Sequence, residues 1–414
     1  MKILICNAGS TSLKFKLWDM PGYAVLAEGK VERVGSDDAI FHYKRSSASS
    51  CESRRPARQP VPGPSADRNA DYIIKEDGLS IPDYTAGIRR FLDHLSAPEG
   101  GAVASLNEID AVGFKTVLSK GHYGVHLLTE EVLEGMRAYL SVAPAHNGPY
   151  LEAISVFERL LPHAPRVGVF ETAFHRTIPL ARRVFPVPYE WYEKYGVMRM
   201  GYHGASHGYI AKKLAGRRRV ISCHLGGSAS ICAILDGKSM DNSFGFSLQM
   251  GIPHASRTGD VDVYLVPFLL EQGLTLEQIY EGLGKNGGMK GLSGTSGDIR
   301  DVDAAMRSGS ERAKLALDVL STHVIRYVGA YALELGGVDA IAFTGGIGEN
   351  YAPLRRTVLE SMGFMGMVVD DDSNENGHGE RLISAPGSAI EAHVIPADEE
   401  YMVVSAAYDL IKTE

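Results

Sequence analysis

The sequence predicts an α/β protein of two related domains, and three observations predict it. A pattern of apolar strand, Gly/Ser tip and second apolar strand occurs twice, at about 3–17 and 220–235. Between and after these hairpins, β-favouring apolar runs alternate with segments of helical periodicity. Glycine makes up 46 of 414 residues, and many of these fall in short clusters at the ends of predicted strands.

In chain order, Met1–Cys6 is a short apolar run suited to a strand covered on both faces. Asn7-Ala8-Gly9-Ser10-Thr11-Ser12 breaks it, and Leu13, Phe15 and Leu17 then alternate with Lys14, Lys16 and Trp18. That period of two predicts a hairpin. Its tip offers backbone N–H groups and hydroxyls in a small concavity able to hold a phosphate or carboxylate, though an ordinary turn would read the same way. Residues 44–71 are Ser, Arg and Pro with six basic side chains, which predicts a mobile surface insertion between two strands, AIFHY and DYIIK. Residues 84–96, 129–141, 150–161 and 311–335 have helical spacing. IDAVGFKTVL and RVGVFETAF are strands that run into loops. VDAIAFTGGIGEN is a strand closed by a Gly cluster that should open a helix, and the last segment is a strand, a turn and a closing helix.

The composition narrows the function. Lys plus Arg is 42 and Asp plus Glu is 50, a formal charge of −8, which argues against nucleic-acid or membrane-surface partners. No run of about 18 apolar residues predicts a membrane span. The start lacks signal-peptide features. Cys6, Cys51, Cys223 and Cys232 are scattered without metal-type spacing, so a cytoplasmic protein is expected. His146, His203 and His207 cluster in two loops, but no acidic or thiol ligands accompany them, so a histidine metal site is not expected.

Nine motifs lie in order along the chain: NAGSTSLKF (7–15), APAHN (143–147), FETAFHRTIP (170–179), GYHGASH (201–207), CHLGGSASI (223–231), SRTGDVD (256–262), GLSGTSGDIRDV (291–302), FTGGIGEN (343–350) and IPADEE (395–400). Together they resemble the acetate and propionate kinase family, within the actin-like/sugar-kinase ATPases. The resemblance implies two actin-like (ribonuclease-H-like) domains flanking a nucleotide cleft. We expect an N-terminal domain at 1–170 plus 396–414 and a C-terminal nucleotide-binding domain at 171–395. It also implies a homodimer.

The resemblance assigns roles residue by residue. Asn7, Ser10, Ser12 and Lys14 form one phosphate wall. The second hairpin, His224, Gly226, Gly227 and Ser228, wraps the β/γ-phosphates, with Ser230 as a further hydroxyl. Asp298, Ile299 and Arg300 bracket the adenosine with Gly345, Gly346, Ile347 and Asn350, where glycine allows close approach and a helix N-terminus faces the ligand. Arg257 donates to the transferring phosphoryl group, and His203 orients substrate. Val117, Ala145, His146, Tyr202 and Leu248 line the acid pocket. Asn7 and Glu399 or Glu400 hold Mg²⁺, a hard cation that prefers oxygen ligands.

The chain departs from the family pattern at several of these positions. The substrate-binding arginine becomes Lys115, preceded by Phe114 in place of histidine, with Lys120 a second candidate for the role. Lysine keeps the charge and loses the two-pronged donor. The catalytic aspartate becomes Glu171, which moves the carboxylate about 1 Å further along its side chain. The phosphate-loop asparagine becomes Gly227. In the acid pocket leucine becomes Ala145, phenylalanine becomes Tyr202 with a polar handle, and proline becomes Leu248.

The reaction expected is ATP plus a short-chain carboxylate giving ADP and an acyl phosphate, reversibly and with Mg²⁺. The acid is expected to be larger than acetate or hydroxylated. Glu171, Arg257, Lys115 and His203 are the expected catalytic residues. A nucleotide-binding regulator that has lost the activity, and an ATPase or sugar kinase on the same scaffold, are the alternatives.

Overall fold

The computed structural model describes residues 1–9, 11–47 and 71–413. Most of the expected insertion, and Ser10, lie outside the described residues. The chain divides into two compact units, Met1–Ala173 with Glu399–Glu414, and Phe174–Asp398.

The first unit contains β1 (Lys2–Gly9), β2 (Ser12–Asp19), β3 (Ala24–Glu32), β4 (Ser36–Arg45), β5 (Tyr72–Ile81), β6 (Ile109–Phe114), β7 (Val125–Leu127) and β8 (Arg166–Val169), in the sheet order β5-β4-β3-β2-β1-β6-β8-β7. β1 and β2 form the first predicted hairpin, with Cys6 opposite Phe15 and Asn7 opposite Lys14. β1, β6 and β8 are parallel. AIFHY and DYIIK become the antiparallel pair β4 and β5.

Two helices pack on one face of this sheet. α1 (Tyr84–Leu95) starts where the Asp83 side chain accepts from Ala86 N, the usual N-cap device. Its Phe91 stacks on Phe15 at 4.3 Å between centroids. Gly29 permits that stack, since a Cβ there would meet Phe91 at 2.3 Å. α2 (Pro144–Leu160) carries Phe157 against Phe15 and Phe114. It begins six residues before the predicted start at 150: Pro144 at N1 lacks only an N–H that the first turn leaves unpaired, while Pro149 lies inside the helix and removes one backbone donor.

The second unit contains β9 (Arg219–Leu225), β10 (Ala229–Leu235), β11 (Lys238–Asn242), β12 (Ala340–Thr344), β13 (Arg381–Leu382) and β14 (Glu391–Val394), in the order β11-β10-β9-β12-β14-β13. Its five-strand segment β11-β10-β9-β12-β14 repeats the connectivity of β3-β2-β1-β6-β8: an antiparallel hairpin extended by two parallel strands. The repeat seen in the sequence is thus a repeat of sheet topology. These are the two sheets of the actin-like ATPase fold.

α3 (Glu311–Glu334) lies against this second sheet. Ala313, Ala316, Leu317, Leu320, Val324 and Val328 are buried at three- and four-residue spacing, the stripe a core-facing helix needs. α4 (Gly345–Asn350) follows β12 directly, and α5 (Glu399–Thr413) closes the first unit. No described helix is long and apolar enough to cross a membrane. Among the described residues, Cys6, Cys223 and Cys232 are buried free thiols.

Candidate active site

In the first unit the candidate residues gather at the carboxyl ends of β1, β6 and β8, where parallel α/β sheets place their ligands. Strand alternation and the pairing of Ile5 with Gly113 put Asn7 and Lys115 on the sheet face that α5 covers, where a Cβ on Gly113 would meet Ala407 and Val403. Glu171 N donates to Thr116 O at 2.9 Å, which ties the loop after β8 to the loop after β6. Lys115 Nζ then lies 3.0 Å from Glu171 Oε1 and 2.5 Å from Glu399 Oε2, the latter in the first turn of α5.

Glu171 is only 6% exposed. Burial, the largest single effect on Lys115, pushes its ammonium pKa down, but the charges of Glu171 and Glu399 outweigh it and the net shift is upward. Lys115 is therefore a fixed cation at this site. Lys120 is exposed, and of the two candidate lysines it is Lys115 that meets the carboxylates. Helix phase separates the two glutamates in the same way, because Glu400 pairs with Lys16 instead.

Asn7 Oδ1, Thr116 Oγ1 and Thr172 Oγ1 are buried and find no hydrogen-bond partner among the described residues. Buried oxygens of this kind mark places where a ligand, ion or water completes the structure. Thr116 and Thr172 escaped the sequence reading, and their only signal was adjacency to Lys115 and Glu171. The Asn7 amide oxygen and the Glu171 and Glu399 carboxylates are a hard oxygen donor set, which fits Mg²⁺. Among the described residues no group of three or more His, Cys, Asp and Glu could hold a metal alone, so the ligand's own oxygens would have to complete the shell.

Ser12 sits at the hairpin tip beside Gly9. Lys14 is exposed and lines a groove of about 340 Å³ with Lys16, Lys30, His42 and Lys44. Val117 is buried, and His146 and Ala145 lie in the first turn of α2.

In the second unit the candidate site grows from the β9–β10 hairpin and α4. A cavity of about 610 Å³ is lined by Gly226, Gly227, Asp298, Ile299, Arg300, Gly346, Ile347 and Asn350. Ala255, Gly297 and Tyr351 complete the lining and were missed; Tyr351 directly follows the GGIGEN motif. Gly345 has φ +77°, and a Cβ there would sit 2.7 Å from Leu225 O, so only glycine lets β12 turn so tightly into α4. Asp298 caps the helix Ile299–Arg307 by accepting from Arg300 N at 2.9 Å. The Arg300 guanidinium bonded to it holds its carboxyl down at about 2.

Arg257 Nη1 donates to Ser228 Oγ at 3.1 Å and to Leu248 O at 3.0 Å. Burial lowers the pKa of its guanidinium, which stays charged at any working pH. The hairpin tip and the loop before Arg257 thus aim one guanidinium beside the cavity.

His224 Nδ1 lies 2.8 Å from Ser206 Oγ, and its ring is 4.1 Å from that of His203. Tyr202 is fully buried and its hydroxyl donates to Phe246 O at 2.7 Å. The hydroxyl expected as a polar handle for the substrate thus gives its hydrogen to the Phe246 loop, an arrangement that depends on packing and not on residue type.

His175 and His254 give this unit a pH dependence. Burial holds both neutral, His175 down to about 4, and His254, with a further push from Arg257, down to about 3. Unfolded, each takes up a proton near pH 6.5. Between that pH and the folded values the unfolded chain binds more protons, so stability falls as pH falls. The two together are expected to cost about 4 kcal/mol of unfolding free energy between pH 7 and pH 5. This is read as a lower urea midpoint; an unchanged midpoint would refute it.

Two ribonuclease-H-like sheets, one carrying a nucleotide-sized cavity walled by a Gly-rich hairpin and a helix N-terminus, define an actin-like ATPase fold equipped for phosphoryl groups. Within that class the chain belongs to the acetokinase family, whose model matches residues 69–405. It is 38% identical to the acetate kinase of Shouchella clausii over 97% of both chains. It is also 38% identical to that of Bacillus subtilis over 99% of this chain and 100% of the relative. Among solved structures it resembles Porphyromonas gingivalis acetate kinase (TM-score 0.83, 35% identity, 99% of both chains covered). A propionate kinase from Francisella tularensis is similar as well (TM-score 0.84, 28% identity, 98% of both chains covered).

Proposed function

We propose that this protein transfers the γ-phosphoryl group of ATP to a short-chain carboxylic acid, reversibly, giving an acyl phosphate. The observation that carries the reading is Arg257, fixed by Ser228 on the hairpin that walls the nucleotide-sized cavity. A carboxylate is already ionised at neutral pH and needs no base. Its oxygen attacks the γ-phosphorus in line, and the protein's task is to position the reactants and neutralise charge.

In this reading Asp298, Ile299, Arg300, Gly346, Ile347 and Asn350 hold the adenosine. The backbone of Gly226 and Gly227, with Ser228 and His224, holds the phosphates. Arg257 and His203 donate to the moving phosphoryl group, Lys115 supplies a fixed positive charge, and Glu171 fixes Lys115. Mg²⁺, held by Glu399, Glu171 and Asn7, supplies further neutralisation of phosphate charge when bound. Val117, Ala145 and His146 in the first unit, and Leu248 and Tyr202 in the second, are the acid-binding positions that the family resemblance supplies. Exposed Val263, Tyr264, Phe268 and Tyr280 suit the homodimer that the family implies; a monomeric mass by light scattering would refute that.

Gly227 tests the cavity assignment. A Cβ there meets only the Ala255 Cβ, at 3.9 Å, so a side chain fits. Gly227→Asn is expected to add a donor worth about 1 kcal/mol and tighten ATP binding about fivefold, measured by calorimetry. Gly345→Ala is expected to abolish it. Equal affinities in the two variants would contradict the placement.

The acid itself is read as larger than acetate or hydroxylated, from Ala145 in place of a bulkier residue. A panel of acetate, propionate, butyrate and lactate, assayed with ATP by hydroxamate trapping of the acyl phosphate, tests this. Higher kcat/KM for an acid other than acetate is expected; acetate as the best substrate would refute it.

A further inference from the structure

Four side chains of the second unit form one hydrogen-bonded chain. Ser222 Oγ lies 2.8 Å from His207 Nδ1, His207 Nε2 lies 2.9 Å from Ser230 Oγ, and Ser230 Oγ lies 2.8 Å from His203 Nδ1. Ser222, His207 and Ser230 are each 0% exposed. Burial, reinforced by His175 and His224, holds His207 neutral, its pKa well below the usual histidine value. A neutral imidazole has one N–H and one bare nitrogen. Among the described residues the Ser230 hydroxyl has no partner but His207 and His203, so its single hydrogen goes to one of the two rings, and the chain has only two proton orders, one the reverse of the other.

The far end selects between them. Among the described residues the Ser222 hydroxyl has no hydrogen-bond partner but His207. If His207 Nδ1 carried hydrogen, the Ser222 hydrogen would be buried without an acceptor, a cost of about 1–3 kcal/mol. The order is therefore Ser222 O–H to His207 Nδ1, His207 Nε2–H to Ser230 Oγ, and Ser230 O–H to His203 Nδ1. His203 is left bare at Nδ1, so its hydrogen sits on Nε2, the ring nitrogen turned away from Ser230. The backbone supports a built arrangement: His203 is held at φ +57° at the start of the helix Gly204–Lys213, a left-handed conformation that a non-glycine residue keeps only where its surroundings enforce it.

We propose that Ser222, His207 and Ser230 are positioning residues that order the hydrogen of His203 onto Nε2, presenting a neutral donor to the phosphoryl group. This rests on the carboxylate-kinase reading for the donor's target, but the ordering itself is tested without substrate. Full-length protein labelled with ¹⁵N in histidine, free of nucleotide, is examined by long-range ¹H–¹⁵N spectroscopy, which separates the two tautomers; the His203 signal is identified by its loss in His203→Gln. Native protein should show hydrogen on Nε2. Ser222→Ala and Ser230→Ala should each give a mixture of tautomers and lower kcat about tenfold, with KM for ATP changed less than about twofold. Ser222→Thr and Ser230→Thr, which keep the hydroxyl, should restore both. Hydrogen on Nδ1 in the native protein overturns the proposal, as does an unchanged Nε2–H signal in Ser222→Ala. If the alanine variants fail to fold, the native spectrum alone decides. Failure of the kinase reading would show separately, as absence of acyl hydroxamate.

Discussion

Arg257→Ala is expected to lower kcat for acyl phosphate formation by about 10³-fold or more, the scale on which a charge-stabilising arginine acts in phosphoryl transfer. The side chain is held by Ser228 Oγ and Leu248 O, so its orientation is fixed before the ligand arrives, and it spends no entropy on ordering at the moment of reaction. Removing it leaves the cavity lining untouched, since Arg257 is not among the lining residues. ATP affinity measured by calorimetry should therefore stay within about threefold of native, a change under 1 kcal/mol. Arg257→Lys should recover only a small part of the rate, because one ammonium cannot reproduce a planar two-pronged donor. A kcat for Arg257→Ala within tenfold of native would remove Arg257 from the chemistry.

Lys115→Met is expected to cost both stability and rate. The substitution keeps the length of the side chain and deletes the cation between Glu171 and Glu399. Breaking a fully buried pair costs about 3–5 kcal/mol. Lys115 retains 21% side-chain exposure, so about 2 kcal/mol is expected after screening by water. The rate should fall about 100-fold. Adding Glu171→Gln should return part of the lost stability, because the remaining carboxylate then has no like charge beside it. Lys115→Arg keeps the charge and should retain native stability and a rate within tenfold of native. Urea unfolding of native protein, Lys115→Met, Glu171→Gln, the double variant and Lys115→Arg checks this, and strictly additive losses in the double variant would show that Lys115 and Glu171 are not coupled.

The fold was legible because it is written in patterns that survive without coordinates. Two apolar–Gly/Ser–apolar hairpins became β1–β2 and β9–β10, and the glycine cluster after β12 became the start of α4. Of the residues expected around the nucleotide, Gly226, Gly227, Asp298, Ile299, Arg300, Gly346, Ile347 and Asn350 line one cavity, because each sits at a strand end or a turn, where sequence position and spatial position nearly coincide.

What the sequence left open depends on phase and packing. Whether Lys115 or Lys120 meets the carboxylates is set by where β6 stops, and whether Glu399 or Glu400 points to Lys115 is set by one residue of helical rotation, about 100°. The hydroxyl of Tyr202 reads as an available donor until the fold places Phe246 O beside it. The Ser222–His207–Ser230–His203 chain joins residues from two strands and a helix, and no spacing along the sequence announces it.

Where the γ-phosphoryl group goes decides the reaction. Purified protein, MgATP and a short-chain acid in the presence of hydroxylamine should yield ADP and acyl hydroxamate in equal amounts. ADP without hydroxamate, or neither product with any acid of the panel, would contradict it.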